Sequence, residues 1–205
     1  MIDLYAWGTP NVRKVSIALE ELGMPFNVHM IDILKGEQFS PGFLALNPNN
    51  KIPVIVDPQG PRGRKITLFE SGAILVYLAE KSGKLLPASG PERFTTLQWL
   101  MFQMGGIGPM FGQTHHFRRY ASEQTYSLKR YTSETHRLYR VLDQQLGKSE
   151  FVAGSEYSVA DIAIYPWVAR FELHQLRWDE VPNVKRWFDA LGARPAVKRG
   201  MEVLA

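Results

Sequence analysis

Residues 1–25 read MIDLYAWGTPNVRKVSIALEELGMP, and the order of patterns in this stretch decides the first half of the fold. Residues 2–5 form a short apolar run that suits a strand. Val12, Val15, Leu19 and Leu22 then recur at the spacing of one helical face. Gly23 follows the last of them and Pro25 comes two residues later, which is a helix stop. A second strand is expected over residues 26–31. Two more follow at 53–56 and 66–69, joined by DPQGPRGRK, a turn segment dense in Gly and Pro. Ser71 then opens a helix through Ile74, Leu75, Leu78 and Ala79. Strand, helix, strand, long connection, strand, strand and helix predict a βαβ unit followed by a hairpin and a helix on one small mixed sheet.

Beyond residue 84 the strand signals largely stop. GKLLPASGPE is the boundary candidate, giving a mixed domain over 1–84 and an all-helical domain over 91–205. Helical pattern covers 93–103, GGIGP at 105–109 is expected to break or kink it, and 124–146 carries Leu128, Tyr131, Leu138, Leu142 and Leu146. Ser158 and Asp161 have the spacing of a variant capping box, with Tyr157 and Ile162 placed as its hydrophobic staple.

The 205 residues include 24 Lys and Arg against 20 Asp and Glu, 45% hydrophobic and 21% charged. This is globular composition. A net charge of +4 is too small to point to nucleic acid, but a mild basic excess suits anionic ligands. There is no cysteine, which excludes disulfides within the chain, thiolate metal sites and a cysteine nucleophile. His115 and His116 are adjacent and cannot share a helix face, so no metal is expected. No apolar run approaches the roughly 20 residues of a membrane span; a cytoplasmic protein acting on neither membrane nor nucleic acid is expected.

Three segments can carry chemistry. In Thr9-Pro10-Asn11 a hydroxyl and an amide stand at the mouth of the first helix. They can cap that helix, or with its N–H groups favour an anion. In Asn49-Asn50-Lys51-Ile52-Pro53-Val54 the proline belongs at a strand start or edge. Ile52 keeps a backbone N–H and C=O that can pair with a peptide-like ligand. In Phe69-Glu70-Ser71-Gly72-Ala73 the serine can cap the next helix. Alternatively the hydroxyl and helix N–H groups bind a carboxylate while Glu70 binds an ammonium. Taken together, the three suit a peptide with a reactive anion in its middle and an α-amino-acid group at one end, which describes glutathione.

Those residues carry a resemblance. The pattern YxxxTPNxxKVxIxLEELGxP, the block KGEQFSPxFLxxNPNNKIPxIVD and the Glu70-Ser71 corner resemble the glutathione S-transferase superfamily. So does SVADIAIYPWV, and the GGIGPMFGQTHHF segment narrows the likeness to the bacterial nu class. The resemblance implies a thioredoxin-like N-terminal domain, an all-helical C-terminal domain and a homodimer. It implies that Thr9 and Asn11 face the glutathione sulfur as the catalytic pair. Gln38 and Lys51 would contact the glycyl end, Ile52 the cysteinyl backbone, and Glu70 and Ser71 the γ-glutamyl group. Arg130 would reach into the partner subunit's site, although it also reads as a solvated charge on a polar helix face.

The implied activity is glutathione-dependent reduction of a small disulfide, with glutathione as co-substrate and no metal. Conjugation of glutathione to small electrophiles is the alternative. A non-catalytic dimeric binding module is a second, which the intact ligand segments disfavour. Tyr5 lies inside the first strand and is expected to pack, and Ser16 is too far along the helix to replace Thr9. Trp99, Phe102, Phe111 and Phe117 read as core or as an apolar wall for the second substrate.

Overall fold

A computed structural model describes residues 1–204. The chain divides into two compact units. One comprises Met1–Lys84 together with the segment from Arg194 on, and the other Leu85–Ala193.

In the first unit, β1 (Ile2–Ala6), α1 (Pro10–Leu22) and β2 (Phe26–Met30) form the βαβ unit, with β1 and β2 parallel. A short helix α2 (Pro41–Leu44) lies in the long connection. Strands β3 (Val54–Asp57) and β4 (Ile66–Phe69) are antiparallel, and β3 also pairs antiparallel with β1. The sheet order is β2-β1-β3-β4, and α3 (Ser71–Ser82) follows. The four expected strands therefore form, within a residue or two of their expected ends. Val12, Val15 and Leu19 of α1 are wholly buried, as are Ile55 on β3 and Leu75 and Leu78 on α3. Gly23 ends α1 in the left-handed region at φ +62°, where a side chain would be strained.

The end of the chain departs from the sequence reading. The helical domain was expected to run to residue 205, but α9 (Pro195–Glu202) packs on α1 in the first unit. A Cβ on Gly200 would fall 2.5 Å from the Ile17 Cα, so glycine is what lets the two helices touch. The Ser16 hydroxyl donates to the Gly200 carbonyl at 2.6 Å. Arg194 and Glu21 pair at 2.7 Å, Arg199 and Glu20 at 2.6 Å. None of this is visible in local pattern, because every contact spans more than 170 positions.

The second unit is helical: α4 (Pro91–Phe102), α5 (Gly108–Tyr120), α6 (Thr125–Leu146), α7 (Val159–Val168) and α8 (Pro182–Gly192). GGIGP does not stop the chain. Gln103–Ile107 continue from α4 into α5 as one wider, π-helical turn, the recognised way for a helix to absorb an extra residue. The capping box at α7 forms. Ser158 Oγ accepts from Ala160 N at 3.3 Å and Asp161 accepts from Ser158 N at 3.0 Å. Asp161 is wholly buried and also accepts from Val152 N and Trp187 Nε1, each at 2.9 Å. One carboxylate thus ties the loop before α7 to α8.

Candidate active site

Register alone gathers the chemistry-bearing segments of the first unit. Tyr5 stands opposite His29 on one side and Val54 on the other, and Val54 stands opposite Phe69. The ends of β1, β2 and β4 and the start of β3 therefore lie at the same end of the sheet. Just beyond them come Thr9 and Asn11 after β1, Gln38 after β2, Lys51 and Ile52 before β3, and Glu70 and Ser71 after β4. Seven of the eight expected site residues share that end. The eighth, Arg130, is on α6 in the second unit.

Thr9 has N-cap position and extended backbone, yet its side chain makes no cap bond to α1. Its Oγ1 is enclosed and has no hydrogen-bond partner. Capping, the simpler of the two roles open to this hydroxyl, is not the one it plays. Asn11 follows as the second residue of α1, half-buried. Ser16 is a structural residue, committed to Gly200. Tyr5 packs as expected, its ring stacked on His29 at 4.8 Å and edge-on to Phe43 at 6.4 Å.

The loop before β3 is built by Asn47, which is buried, donates to the Lys51 carbonyl at 2.7 Å and accepts from Asn49 N at 2.9 Å. Ile52 is half-buried and joined to Pro53 by a cis peptide bond. The Lys51 side chain is exposed. Gln38 sits in the short 3₁₀ turn Glu37–Phe39 and donates through Nε2 to the Ile33 carbonyl at 3.3 Å; its Oε1 is enclosed and unpartnered. An unmet buried acceptor costs on the order of 1–3 kcal/mol, and two of the seven expected ligand contacts carry one.

Glu70 holds φ +69° immediately before α3, an uncommon conformation for a side-chain-bearing residue. It is exposed, while Ser71, the first residue of α3, is only 3% exposed. Behind Ser71 stands Lys14 of α1, whose Nζ donates to Ser71 Oγ at 3.2 Å. Burial lowers the Lys14 pKa to about 7, against the opposing pull of the Glu70 carboxylate.

Arg130 is exposed on α6. It lines a cavity of about 910 Å³ in the second unit, with Tyr126, Lys129, Tyr131, Arg137 and Arg140 among the lining residues. Phe111 is wholly buried between Tyr139 and His174, so it is core and offers no wall to a second substrate. Phe117 is half-buried and stacks on Tyr131 at 5.4 Å.

A polar cluster in the second unit escaped sequence reading. His115 Nε2 and His174 Nε2 are 2.7 Å apart, Tyr139 Oη lies 2.8 Å from His174 Nδ1, and His136 Nε2 lies 2.9 Å from the His174 carbonyl. The three histidines are far apart in sequence and no periodicity links them. Burial, with Arg118, Arg119 and Arg170 near, lowers His115 to about 4; burial and His115 itself lower His174 to about 2. Both are therefore neutral near pH 7. Among the described residues no group of three or more His, Asp or Glu is placed to hold a metal ion, and no helix is long and apolar enough to cross a membrane.

Residues 9–81 match the family model of the glutathione S-transferase N-terminal domain, and residues 125–190 that of the C-terminal domain. The chain is 47% identical to the disulfide-bond oxidoreductase YfcG of Escherichia coli over 98% of this chain and 94% of that one. The chain belongs to the glutathione S-transferase family. A second relative is the E. coli disulfide-bond oxidoreductase YghU, 42% identical over 97% of this chain and 73% of the other. A glutathione transferase family member from Pseudomonas fluorescens, solved with two glutathione bound, superposes with a TM-score of 0.93 at 48% identity over 98% of this chain and 92% of that one. A glutathione transferase from Pseudomonas putida, solved with one glutathione disulfide per subunit, gives 0.94 at 46% identity over 100% and 92%. The thioredoxin-like sheet followed by a helical domain is thus the architecture of this transferase family.

Proposed function

We propose that this chain reduces small disulfides with glutathione as the source of both attacking sulfurs. The observation that carries the reading is the Thr9 hydroxyl, which is enclosed, unpartnered and not used as a cap. It stands at the sheet end that also holds Asn11, Gln38, Ile52, Glu70 and Ser71. A tripeptide laid along that end would pair its cysteinyl backbone with Ile52. Its γ-glutamyl group would meet Glu70 and Ser71, its glycyl end Gln38 and Lys51, and its sulfur Thr9 and Asn11.

Without a cysteine in the sequence the protein contributes no sulfur to the exchange. One glutathione thiolate attacks a substrate sulfur, forming a mixed disulfide and expelling one substrate thiolate. A second glutathione thiolate attacks the glutathione sulfur of that mixed disulfide, expelling the other substrate thiolate and leaving glutathione disulfide. Two thiolates give up two electrons and the substrate disulfide takes them. The two states captured in the Pseudomonas relatives, two glutathiones and one glutathione disulfide, are the partners such a cycle would have before and after reaction.

Thiolate stabilisation alone contributes little. A thiol with pKa about 8.5 is about 3% ionised at pH 7, and lowering the pKa by about two units raises this about 25-fold. Intrinsic nucleophilicity falls by about 8-fold over the same change. The net gain is about threefold, so alignment of the sulfurs must supply most of the acceleration. Thr9 and Asn11 matter chiefly because they fix where the sulfur sits.

A homodimer in which the partner subunit's Arg130 supplies a cation to this site fits the reading. Its basic surroundings on α6 suit the carboxylates of glutathione. The test is replacement of Asn11 by Ala, with turnover measured on a small disulfide and on an activated aryl halide. Loss of disulfide reduction by about 100-fold with the fold intact is expected, on the scale of removing one donor to a reacting anion. Unchanged disulfide turnover would overturn the sulfur site. Faster turnover of the halide than of the disulfide by the unaltered protein would move the assignment to conjugation.

A further inference from the structure

Lys14 is 1% exposed and ranks among the largest fully buried side chains of the molecule. A methionine or leucine would fill the same volume without a charge to desolvate, and burying an ammonium is among the costliest choices a core can make. Such a residue calls for a reason outside stability. Its location supplies one, since the Nζ meets Ser71 Oγ at 3.2 Å beneath the Glu70-Ser71 corner.

The chemistry of the pair is directional. An ammonium has three donors and no acceptor, so at Ser71 Oγ it can only donate. The serine oxygen accepts, and its own proton must be offered to an acceptor other than Lys14. Behind a hydroxyl set in that direction stands a positive charge shielded from water, where its field is strongest. The N-terminus of α3 adds N–H groups and the positive end of the helix dipole.

Glu70 is a charged group whose field Lys14 feels, and it opposes the cost of burying the ammonium. The acids farther along α1 are taken: Glu20 pairs with Arg199 and Glu21 with Arg194, both from the C-terminal segment.

We propose that Lys14 is a positioning residue for the α-carboxylate of the γ-glutamyl group, holding the Ser71 hydroxyl as a donor and placing a buried cation behind it. The inference rests on the glutathione reading above. Because burial leaves Lys14 close to titrating at neutral pH, binding through this corner weakens as pH rises and the ammonium loses its proton.

The probe is S-methylglutathione, which has the γ-glutamyl group but no thiol to titrate. Calorimetric titration would be run at about pH 6 and about pH 8, either side of the Lys14 transition. The unaltered protein binds more tightly at the lower pH. Lys14→Met weakens binding about tenfold or more at the lower pH, the scale of a hydrogen bond to a charged group, and abolishes the pH dependence. Ser71→Ala also weakens binding, and adding Lys14→Met to it costs less than about threefold more, because the two act in series. Equal affinity of Lys14→Met and the unaltered protein at both pH values overturns the proposal, and so do losses that multiply. If Lys14→Met does not fold, Ser71→Ala decides: a pH dependence surviving intact in that variant overturns it. Failure of the unaltered protein to bind the probe overturns the glutathione reading and this one with it.

Discussion

Two places in this molecule bury titratable groups, and they are built in opposite ways. In the second unit His115, His174 and Tyr139 form a chain in which each polar atom named meets another, and His136 closes on the His174 carbonyl. Aromatic rings complete the enclosure, with Phe111 and Trp167 beside the imidazoles. At the sheet end of the first unit Thr9 Oγ1 and Gln38 Oε1 have no partner, and Lys14 directs its charge toward a corner whose next residue, Glu70, is exposed. Perturbed titration is common to both regions. What separates them is whether hydrogen-bonding capacity has been used up. A satisfied network specifies packing, whereas an unsatisfied one at the edge of a sheet is incomplete without something brought to it.

The closed regions should respond to substitution through stability. The largest effect is expected at Asp161, where four donor groups converge: Val152 N, Ser158 N, Ser158 Oγ and Trp187 Nε1. Asp161→Ala strands all of them in a dry core, and urea unfolding should show a loss of about 4 kcal/mol. A loss below about 1 kcal/mol would mean that water or rearrangement replaces the carboxylate, and that the region is not closed.

At pH 7 the histidine pair has a smaller effect, but it grows as the pH falls. Both imidazoles have lower pKa values folded, about 4 for His115 and about 2 for His174, than the 6.5 of the unfolded chain. As pH falls below about 6.5 the unfolded state takes up protons that the folded state refuses, so stability decreases toward acid. The contribution of His115 levels off near pH 4, that of His174 only near pH 2. Each histidine contributes up to about 1.4 kcal/mol per pH unit within its window. Unfolding free energies from pH 7 to pH 4 should fall more steeply for the unaltered protein than for the double variant His115→Phe, His174→Phe. Parallel slopes would show that the pair titrates as freely folded as unfolded.

How much of this was legible before the structure follows the same division. The sheet end could be read because it is assembled from signals local in sequence: a strand followed by Thr9-Pro10-Asn11, a proline opening β3, and Glu70-Ser71 opening α3. Register then placed them together. The histidine cluster could not be read, since His115, His136 and His174 come from α5, α6 and the turn after α7 and meet only through packing. Lys14 and Ser16 were obscured for a related reason. The apolar spacing of α1 marks one buried face, but Ser71 of α3 receives Lys14 and Gly200 of α9 receives Ser16, so both are enclosed by segments distant in sequence. Gly200 and Ile17 made that possible through a close approach that no window of pattern contains. The π-helical turn at Gln103–Ile107 lies between these cases: the glycines announced an irregularity, while its form, with Gly108 N donating to the Gln103 carbonyl five positions back, is not written in their spacing.

The smallest expected change in stability is the one that tests the comparison most sharply. Thr9→Val removes a hydroxyl that caps nothing and has no partner, and the extended backbone of residue 9, φ −120° and ψ 155°, suits a β-branched side chain. Urea unfolding should shift by less than about 0.5 kcal/mol in either direction, the range of substitutions that break no structural feature. Turnover of a small disulfide with glutathione should nonetheless fall by about tenfold or more, since the variant offers the sulfur no hydroxyl. Asp161→Ala must show the reverse weighting, a large loss of stability at a residue wholly buried among its own donors. Were Thr9→Val to lose more than about 1 kcal/mol while turning over disulfide at the original rate, the unpartnered hydroxyl would be a packing element, and the first unit would be no more open than the second.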